Sequence, residues 1–539
     1  MMSTSNDSRL GAAGGDSGSA PTPGQDLPAR FRQAAAASPD RTAICADSGA
    51  WTYAALNDAS DALAAALRAR SIDAGDRVAL YCPNGTDFVV AYLGILKAGA
   101  VVVPVNLLLS PREIAFQLRD AGARALLFHA AVSDKAAVAV ADAPDLALRV
   151  VIGAERPGGS TDCRLEDLLS PAQPPTVARD PERDAAVILY TSGTTGRPKG
   201  AVLTHRNLAS NADAVREALG LQPETDRFLV VLPMFHAFAG TVGILTPLLA
   251  GAALVPVAGF DPQAISAAIE AHRATIFLGV PSLYAVLMRL DDRQVGRWRS
   301  IRLGISGGAA MPEALMQRFE ARFGVPILEG DGPTECGPVT AVNRPEGPRK
   351  PGSIGPPIPG VEMRIADPTG NWLRDGEHGE VCVRGPSVMQ GYWHLPAETQ
   401  QSFFGDWFRT GDLGWRDADG FFYLVDRIKD LIITNGINVY PRVVEEALIR
   451  HPAVAEAAVV GEPHPLHGEI PIAYVSPASQ GALSGPELRA WCREQLGSHE
   501  IPRRIEIVEA LPKNAAGKIL KRELRRGGEH ERGVDRPTS

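Results

Sequence analysis

Strand-like apolar runs alternate with helical segments along most of this chain, and this alternation limits the fold more than any other feature. The run RVALYC (77–82) precedes a helical segment, FVVAYLGILKAGA (88–100), which leads into VVVPVN (101–106). Similar apolar runs lie at 124–130, 186–190, 274–280 and 302–307. Strands separated by helices of this length favour βαβ units. We therefore predict an α/β fold whose large N-terminal domain contains layers of parallel sheet.

The pattern changes twice toward the C-terminus. From about residue 351, short strands such as GEVCVRG (379–385), GYW (391–393) and DADGFFYLVDR (417–427) predict a small β-rich subdomain. A new α+β pattern after DRIKD (426–430) predicts a small, separate C-terminal domain. The predicted division is a disordered tail 1–27, an N-terminal domain 28–426, a hinge 427–430, a C-terminal domain 431–525 and a tail 526–539.

Charge and cysteine content exclude several classes of protein. The chain has 539 residues and a net charge of −8, so it lacks the basic surface of a nucleic-acid-binding protein. Its six cysteines are scattered singly, without metal-ligand spacing, which predicts reduced thiols and a cytoplasmic location. The segment 228–260 has no charged residue, but prolines, glycines and His236 interrupt it. It predicts a strand, a buried helix near 240–250 and a strand near 252–257, not a membrane span.

A loop rich in glycine and hydroxyl groups follows one of the buried strands. It lies within ILYTSGTTGRPKGAVLTH (188–205) and ends at Lys199. Glycines let backbone N–H groups approach an anion, the N-terminus of the helix that we expect to follow adds its dipole, and lysine supplies a charge. The spacing does not match the P-loop pattern GxxxxGK[ST]. The residues nevertheless predict a polyphosphate site in place of an ordinary flexible loop.

Three later segments carry further candidate polar groups. Glu335 follows a turn in EGDGPTECGP (329–338), and a carboxylate near a phosphate loop is a natural Mg²⁺ ligand. Asp412 and Arg427 lie in WFRTGDLGWRDADGFFYLVDRIKD (407–430), where an aspartate could accept from two ribose hydroxyls. Lys518 lies on a turn of small residues in PKNAAGKILKREL (512–524). Each segment alone also fits an ordinary turn cap or a solvated surface side chain.

A rival hypothesis comes from GISGG (304–308). It satisfies G-x-S-x-G, the nucleophile elbow of serine hydrolases, with Ser306 as the nucleophile. Histidines occur downstream, so the order of residues along the chain does not exclude a catalytic triad. The alternative is a strand-to-turn segment where glycines allow a ligand to approach closely.

Taken in order, YTSGTTGRPKG, GPTE, RTGDLG, DRIKD and PKNAAGK resemble the motifs of the adenylate-forming superfamily. This superfamily includes acyl- and aryl-CoA synthetases, luciferases and the adenylation domains of peptide synthetases, and the resemblance covers about residues 28–525. It implies a large domain with the active site and a small, mobile domain that swings over it. The implied reaction is an AMP-forming acid–thiol ligation with ATP, Mg²⁺ and coenzyme A. A carboxylate first forms an acyl-adenylate with release of pyrophosphate, and the CoA thiol then displaces AMP.

The resemblance also implies roles for single residues. The residues that match the phosphate loop are Thr191, Ser192, Gly193, Thr194, Thr195 and Lys199. Glu335 matches the Mg²⁺-associated glutamate, with Thr191 as a second candidate ligand, and Thr334 matches a phosphate contact. Asp412 and Arg427 match the ribose-binding pair.

Three further matches concern the two half-reactions and the hinge between domains. Lys518 matches the lysine that bridges the attacking carboxylate and the α-phosphate, and Lys429 matches the hinge. Gly436 in TNGINVYP matches the glycine that admits the pantetheine arm of CoA. His236 in LPMFHAFA matches a gate beside the acyl carbonyl.

Asp331 departs from the family pattern, because an aromatic residue that stacks on adenine usually stands at this position. A carboxylate cannot stack, so we expect adenine contacts from Gly308, Ala309, Gly332 and nearby backbone. Asp331 could instead accept from the adenine amine or from a neighbouring group. Peptide-synthetase domains usually carry aspartate where this chain has His236, so free amino acids are not the expected substrates.

The small and apolar residues near His236, 304–309 and 332–339 predict room for a chain or a ring. Resemblance to fatty acyl-CoA synthetases favours a medium- or long-chain fatty acid, which would allow peripheral membrane contact. The alternatives are a benzoate- or cinnamate-like acid, transfer to a carrier protein, a hydrolase that uses Ser306, and a module that binds ATP without turnover.

Overall fold

The computed structural model describes residues 26–143, 145–153, 163–191, 197–478, 483–514 and 517–530. The elements up to residue 191 are α1 (Leu27–Ala37), β1 (Thr42–Ala46), β2 (Gly49–Thr52), α2 (Tyr53–Ala69), β3 (Arg77–Tyr81), α3 (Thr86–Lys97), β4 (Val101–Pro104), α4 (Pro111–Ala121), β5 (Ala123–His129), α5 (Ser133–Ala141), β6 (Leu148–Ile152), β7 (Cys163–Arg164), α6 (Leu165–Leu168) and β8 (Ala185–Thr191).

The second part of the N-terminal region contains the loops of the candidate site. Its elements are β9 (Lys199–Thr204), α7 (His205–Ala218), β10 (Arg227–Val230), α8 (Thr246–Ala250), β11 (Ala253–Pro256), α9 (Pro262–His272), β12 (Ile276–Gly279), α10 (Pro281–Leu287), α11 (Asp292–Val295), β13 (Leu303–Ser306), α12 (Glu313–Phe323), β14 (Ile327–Asp331) and β15 (Ala341–Val342). A π-helical segment, Ala239–Leu245, precedes α8.

The remaining elements form two smaller units. The first contains β16 (Glu362–Ala366), β17 (Gly379–Arg384), β18 (Gly391–Tyr392), α13 (Pro396–Gln401), β19 (Phe403–Phe404), β20 (Trp407–Arg416) and β21 (Phe422–Arg427). The second contains β22 (Ile432–Thr434), β23 (Ile437–Val439), α14 (Pro441–Ile449), β24 (Val454–His464), β25 (Gly468–Pro477), α15 (Gly485–Gln495), β26 (Arg504–Ile507) and α16 (Lys521–His530).

Within the described residues the strands form four sheets. One eight-stranded sheet has the order β15-β14-β13-β12-β10-β11-β1-β2, and the other has the order β18-β9-β8-β4-β3-β5-β6-β7. The central strands of both sheets run parallel, as predicted, and one continuous apolar core lies between the sheets. The apolar segment 228–260 forms β10, the π-helical segment, α8 and β11, also as predicted. No helix in the described ranges is long and apolar enough to cross a membrane.

The β-rich subdomain is an antiparallel sheet of β16, β17, β20 and β19, with β21 paired to β20. The C-terminal unit has its own five-stranded sheet, which is covered on its two faces by separate apolar clusters. The fold class predicted from the sequence, a large α/β domain with a small β-rich subdomain and a smaller α+β C-terminal domain, is confirmed.

Three local expectations need correction. The GYW strand does not belong to the subdomain, because β18 pairs with β9 at the edge of the second large sheet. No helix directly follows the glycine-rich loop. Residues 199–204 form the strand β9, which pairs with β8 and is buried after Lys199, and α7 begins only at His205. The folded chain begins before the end of the predicted tail, since Asp26 caps α1 and Leu27 is buried.

Candidate active site

A cavity of about 430 Å³, counting the open space at its mouth, lies where several parallel strands of the first sheet end. Ligands of open α/β sheets bind at the carboxyl ends of such strands. The residues that line the cavity are Leu232, Pro233, His236, Phe238, Val280, Gly308, Ala309, Asn514, Gly517 and Lys518. The first seven follow strands of the N-terminal domain, and the last three come from the C-terminal unit. The structure therefore brings the predicted residues His236, Gly308, Ala309 and Lys518 to one space.

His236 presents a neutral imidazole to this cavity. Its Nδ1 accepts a hydrogen bond from the Phe238 amide at 3.3 Å, so the ring proton lies on Nε2. Burial, with the nearby charge of Lys518 as a second cause, lowers the pKa of His236 to about 4. The ring is therefore an uncharged hydrogen-bond donor at neutral pH. A small second pocket, lined mainly by apolar side chains that include Tyr92, Leu189 and Leu208, lies behind it.

Asp412 and Arg427 face each other across the antiparallel strands β20 and β21. The Arg427 Nε lies 2.6 Å from the Asp412 Oδ1, and the Asp412 side chain is 10% exposed. The Asp412 charge raises the pKa of Arg427 against the effect of burial. The sequence predicted this pair although its two residues are fifteen positions apart. The register of β20 on β21 places them opposite each other.

Lys518 enters the cavity on a turn held by Asn514. The Asn514 side chain accepts a hydrogen bond from the Lys518 amide at 2.8 Å, and the Asn514 amide donates to the Lys518 carbonyl at 2.9 Å. Gly517 has a φ of +79°, and an added Cβ would lie 2.9 Å from the Ser282 hydroxyl, so only glycine fits here without strain. Desolvation by the cavity walls and the charge of Arg427 lower the pKa of Lys518. The negative charges of Asp412 and Asp331 oppose this shift.

Asp331 ends strand β14 beside these charges. Burial and the Asp412 carboxylate raise the pKa of Asp331 to about 6, against the opposing effects of Arg427, Lys518 and the Gly332 amide. The next residue must be glycine, because a Cβ on Gly332 would overlap the Pro338 carbonyl. Asp331 therefore belongs to the charge cluster of Asp412, Arg427 and Lys518, and the sequence did not predict this.

The phosphate-loop strands and the Glu335 turn meet at Tyr392. The Tyr392 hydroxyl donates to Glu335 Oε1 at 2.8 Å, and its ring lies 5.1 Å from the Lys199 ammonium. Thr191 pairs with Lys199 in the β8–β9 ladder, and Thr334 begins the turn Thr334–Cys336. Among the described residues, no donor forms a hydrogen bond with the other carboxylate oxygen of Glu335.

Carboxylate and hydroxyl oxygens are the donors that Mg²⁺ prefers, so Glu335 and Thr191 fit this ion. The remaining predicted loop residues, Ser192, Gly193, Thr194 and Thr195, lie outside the described residues.

Two predicted residues do not line the cavity. Gly436 forms the tip of the β22–β23 hairpin with a φ of +78°, and no described atom lies within 4 Å of a Cβ built on it. Lys429 lies in the short turn Ile428–Asp430 and is exposed. Gly436, the position assigned to CoA binding, thus lies away from Lys518, whereas the Lys429 charge is close enough to help lower the pKa of Lys518.

The hydrolase hypothesis is wrong for Ser306. This serine ends strand β13, it is completely buried, and its hydroxyl has no hydrogen-bond partner among the described residues. A nucleophile must be exposed and paired with a base. The G-x-S-x-G match therefore reflects glycines that line the sheet edge.

Several residues of the site have no motif that could reveal them. Asn207 and Asn211 on α7 donate amide hydrogens to the carbonyls of Pro386, Val388 and Val339, and so hold the loops on both sides of Glu335. Tyr392 belongs to the short strand GYW and to no chemical motif. These contacts join residues more than fifty positions apart, and only the register of β18 on β9 would have indicated them.

Comparison with known proteins agrees with this geometry. A family model described as AMP-binding enzyme matches residues 31–393, and its C-terminal domain model matches residues 443–518. The chain is 38% identical over 490 residues to a feruloyl-CoA synthase from an Amycolatopsis species, covering 91% of this chain and 96% of that protein. It is 35% identical over 532 residues to a long-chain-fatty-acid–CoA ligase of Bacillus subtilis, covering 94% and 95%.

Among solved structures, an anthranilate CoA ligase in complex with anthranoyl-AMP superposes with a TM-score of 0.88 at 30% identity, covering 95% of this chain and 98% of that one. The length of the family match exceeds half of the chain, and both domains are included. The chain therefore belongs to the AMP-binding enzyme family and is an AMP-forming acyl-CoA synthetase of the adenylate-forming superfamily.

Proposed function

We propose that this synthetase activates an aromatic carboxylic acid of the benzoate or cinnamate class and transfers it to CoA. The observation that carries this choice is the position of Phe238. Its ring packs against Gly307. A Cβ built on this glycine would lie 3.3 Å from the Phe238 ring and 3.5 Å from the Gly330 carbonyl oxygen. Phe238 thus adds an aromatic ring to the cavity lining, beside the backbone of Gly307 and Gly308, and an aromatic ring suits a planar acyl group.

The charge of the cavity lining supports the same choice. Much of the lining is apolar, with side chains from Leu232, Pro233, Phe238 and Val280. Among the described residues of the lining, Lys518 is the one that carries a charge. Lys518 is the natural partner of the reacting carboxylate, so nothing in the described lining would pair a second charge on the acid. The related feruloyl-CoA synthase and anthranilate CoA ligase also carry aromatic substrates in their names.

In the proposed first step a carboxylate oxygen attacks the α-phosphorus of ATP, and the bond to pyrophosphate breaks with its electron pair on the leaving group. Lys518 neutralises the charge that builds up between the two anions. The His236 Nε2–H donates to the carboxylate and fixes its orientation. Asp412 and Arg427 hold the ribose, with the aspartate accepting from its hydroxyls.

The phosphates lie on the Thr191–Lys199 loop in this proposal, and Gly308, Ala309, Gly332 and Thr334 contact the adenine and the α-phosphate. Glu335 and Thr191 would hold Mg²⁺, and the bound ion would offset phosphate charge. In the second step the CoA thiol loses its proton, its sulfur bonds to the acyl carbon, and AMP leaves. Gly436 would have to reach the cavity for this step, by a turn of the C-terminal domain about Lys429.

A medium-chain fatty acid is the second candidate, because the small pocket behind His236 is lined mainly by apolar side chains. An alkyl chain would enter it only if the imidazole and these side chains moved apart. The fatty-acid prediction made from the sequence therefore stays a prediction, and so does the cytoplasmic location.

The test is AMP and thioester formation with benzoate, 4-coumarate, ferulate, octanoate and palmitate, each with and without CoA. We expect the highest kcat/KM for an aromatic acid, and we expect Phe238→Leu to lower that value more than the value for octanoate. A preference for octanoate or palmitate would select the fatty-acid alternative. AMP release that CoA does not promote would indicate a carrier protein as acceptor.

A further inference from the structure

Helix α14 of the C-terminal domain has its N-terminus capped by a residue of the N-terminal domain. Its own N-cap residue, Tyr440, makes no side-chain cap hydrogen bond with the described residues. The Arg442 amide instead donates to Asp426 Oδ2 at 2.9 Å. Asp426 belongs to strand β21, before the predicted hinge, so this hydrogen bond spans the two domains. An aspartate that accepts from a free amide in the first helical turn is a helix cap.

The Arg442 side chain adds a second contact across the same boundary. Its guanidinium donates to the Leu424 carbonyl on β21, and its Nε lies 2.9 Å from Glu446 in the next helical turn. The side chain is 17% exposed. The first turn of α14 is thus bound to β21 through its backbone and through one side chain.

Helix α14 is in turn bound to the helix that follows Lys518. Lys521 begins α16, and its ammonium lies 2.8 Å from Glu445 on α14. Glu445 and Asp426 raise the pKa of Lys521 against the effect of burial, which places Asp426 near this pair as well. A continuous set of contacts therefore leads from Asp426 through α14 and Lys521 to the turn that carries Lys518.

Asp426 is also adjacent to the ribose-binding pair. Its other oxygen, Oδ1, accepts from the Arg427 amide at 2.8 Å, and Arg427 pairs with Asp412. One residue thus contacts the nucleotide side of the cavity through Arg427 and the C-terminal domain through Arg442. Lys518 lies in the cavity while this contact exists, and Gly436 lies away from it.

We propose that Asp426 is a positioning residue for the first half-reaction, which holds the C-terminal domain in the orientation that places Lys518 in the cavity. The inference rests on the proposed two-step function, because the second step needs that domain to turn and to release the cap. Loss of the cap should therefore weaken adenylation and leave thioester formation unharmed.

The experiment measures the two half-reactions separately in Asp426→Ala, Asp426→Asn and a control, Asp261→Ala. Asp261 caps α9 within the N-terminal domain, by accepting from the Gln263 and Ala264 amides, so it is a matched cap with no contact to α14. Acid-dependent exchange of pyrophosphate into ATP reports adenylation. Thioester formation from synthetic acyl-adenylate and CoA reports the second step. Hydrogen exchange at the first turn of α14 reports the cap without any need for activity.

We expect Asp426→Ala to slow pyrophosphate exchange about five- to tenfold, because the free energy of one helix cap corresponds to a factor of about this size. The rate of thioester formation should not change. Asp426→Asn should recover most of the exchange rate, because its amide oxygen still accepts, and Asp261→Ala should show no difference between the two steps. Equal losses in both steps, or unchanged exchange at α14, would overturn the role of Asp426. An unmodified protein that adenylates no acid would instead refute the proposed function, while the hydrogen-exchange result would still decide on the cap.

Discussion

The two walls of the cavity are built differently. On the N-terminal side, polar groups are fixed by partners within the same domain: strand register sets the Asp412–Arg427 pair, and His236 accepts from the Phe238 amide. On the C-terminal side, one turn held by Asn514 carries Lys518, and its contact with the opposite wall is a 3.4 Å hydrogen bond from Ser282 to the Gly517 carbonyl. The difference suggests that one wall binds substrates in both half-reactions, whereas the other supplies its group to one of them.

Replacement of Lys518 should give the largest effect and tests this division directly. We expect Lys518→Ala to slow adenylation by about a hundred- to a thousandfold, because a preorganised charge beside the α-phosphate is lost. Thioester formation from synthetic acyl-adenylate should keep its rate. Stopped-flow or discontinuous assays of the two steps are the measurement. A comparable loss in both steps would contradict the contrast between the walls.

The fixed wall should behave in the opposite way. Arg427→Gln leaves the buried Asp412 carboxylate without its cation, and it should weaken nucleotide binding in both steps by about ten- to a hundredfold. Isothermal titration of ATP and of AMP checks this expectation. If only ATP binding weakened, Arg427 would act on one half-reaction and the two walls would not differ as described.

Replacement of Gly436 should affect the half-reaction that Lys518→Ala leaves unchanged. Its φ of +78° disfavours a branched side chain, and its hairpin tip is exposed in the orientation that places Lys518 in the cavity. Gly436→Val should therefore leave pyrophosphate exchange unchanged and slow thioester formation, by about tenfold from strain alone. Unfolding temperature is the control, since a large decrease would show damage to the hairpin itself.

The smallest expected effect concerns Asp331 and pH. With a pKa raised to about 6, Asp331 is mostly neutral below pH 6 and ionised above it. Its negative charge, beside Asp412 and opposite Arg427 and Lys518, opposes the binding of an anionic nucleotide. The KM for ATP should therefore rise, by about tenfold or less, as the pH increases through 6.

Asp331→Asn removes this titration, so its KM for ATP should change less between pH 5 and 7 than that of the wild type. The remaining change comes from Glu329, whose pKa burial raises to about 7, and from the terminal phosphate of ATP. His236, whose pKa is lowered to about 4, does not titrate in that range. A variant that kept the pH dependence of the wild type would assign it to another group.

The sequence allowed the parallel sheets, the Asp412–Arg427 pair and the placement of His236 and Lys518 to be predicted, because each depends on a local pattern or on a motif. Tyr392 could not be predicted, since its link to Glu335 and Lys199 arises when β18 pairs with β9, far away in the sequence. Asp426 was missed for a similar reason. Its neighbours mark a ribose site, but its side chain acts on a helix that begins fifteen residues later.

The pairing of β18 with β9 also has a consequence for how the chain is made. Strand β9 carries Lys199, and until residues 391–393 are available it is the open edge of a large sheet. A chain growing at about 5–20 residues per second therefore waits roughly ten to forty seconds between synthesis of the two strands. An exposed edge strand is a template for pairing with other chains. Translation of this protein should accordingly pass through an interval in which nascent chains depend most on chaperones, and this interval should end when Tyr392 leaves the ribosome.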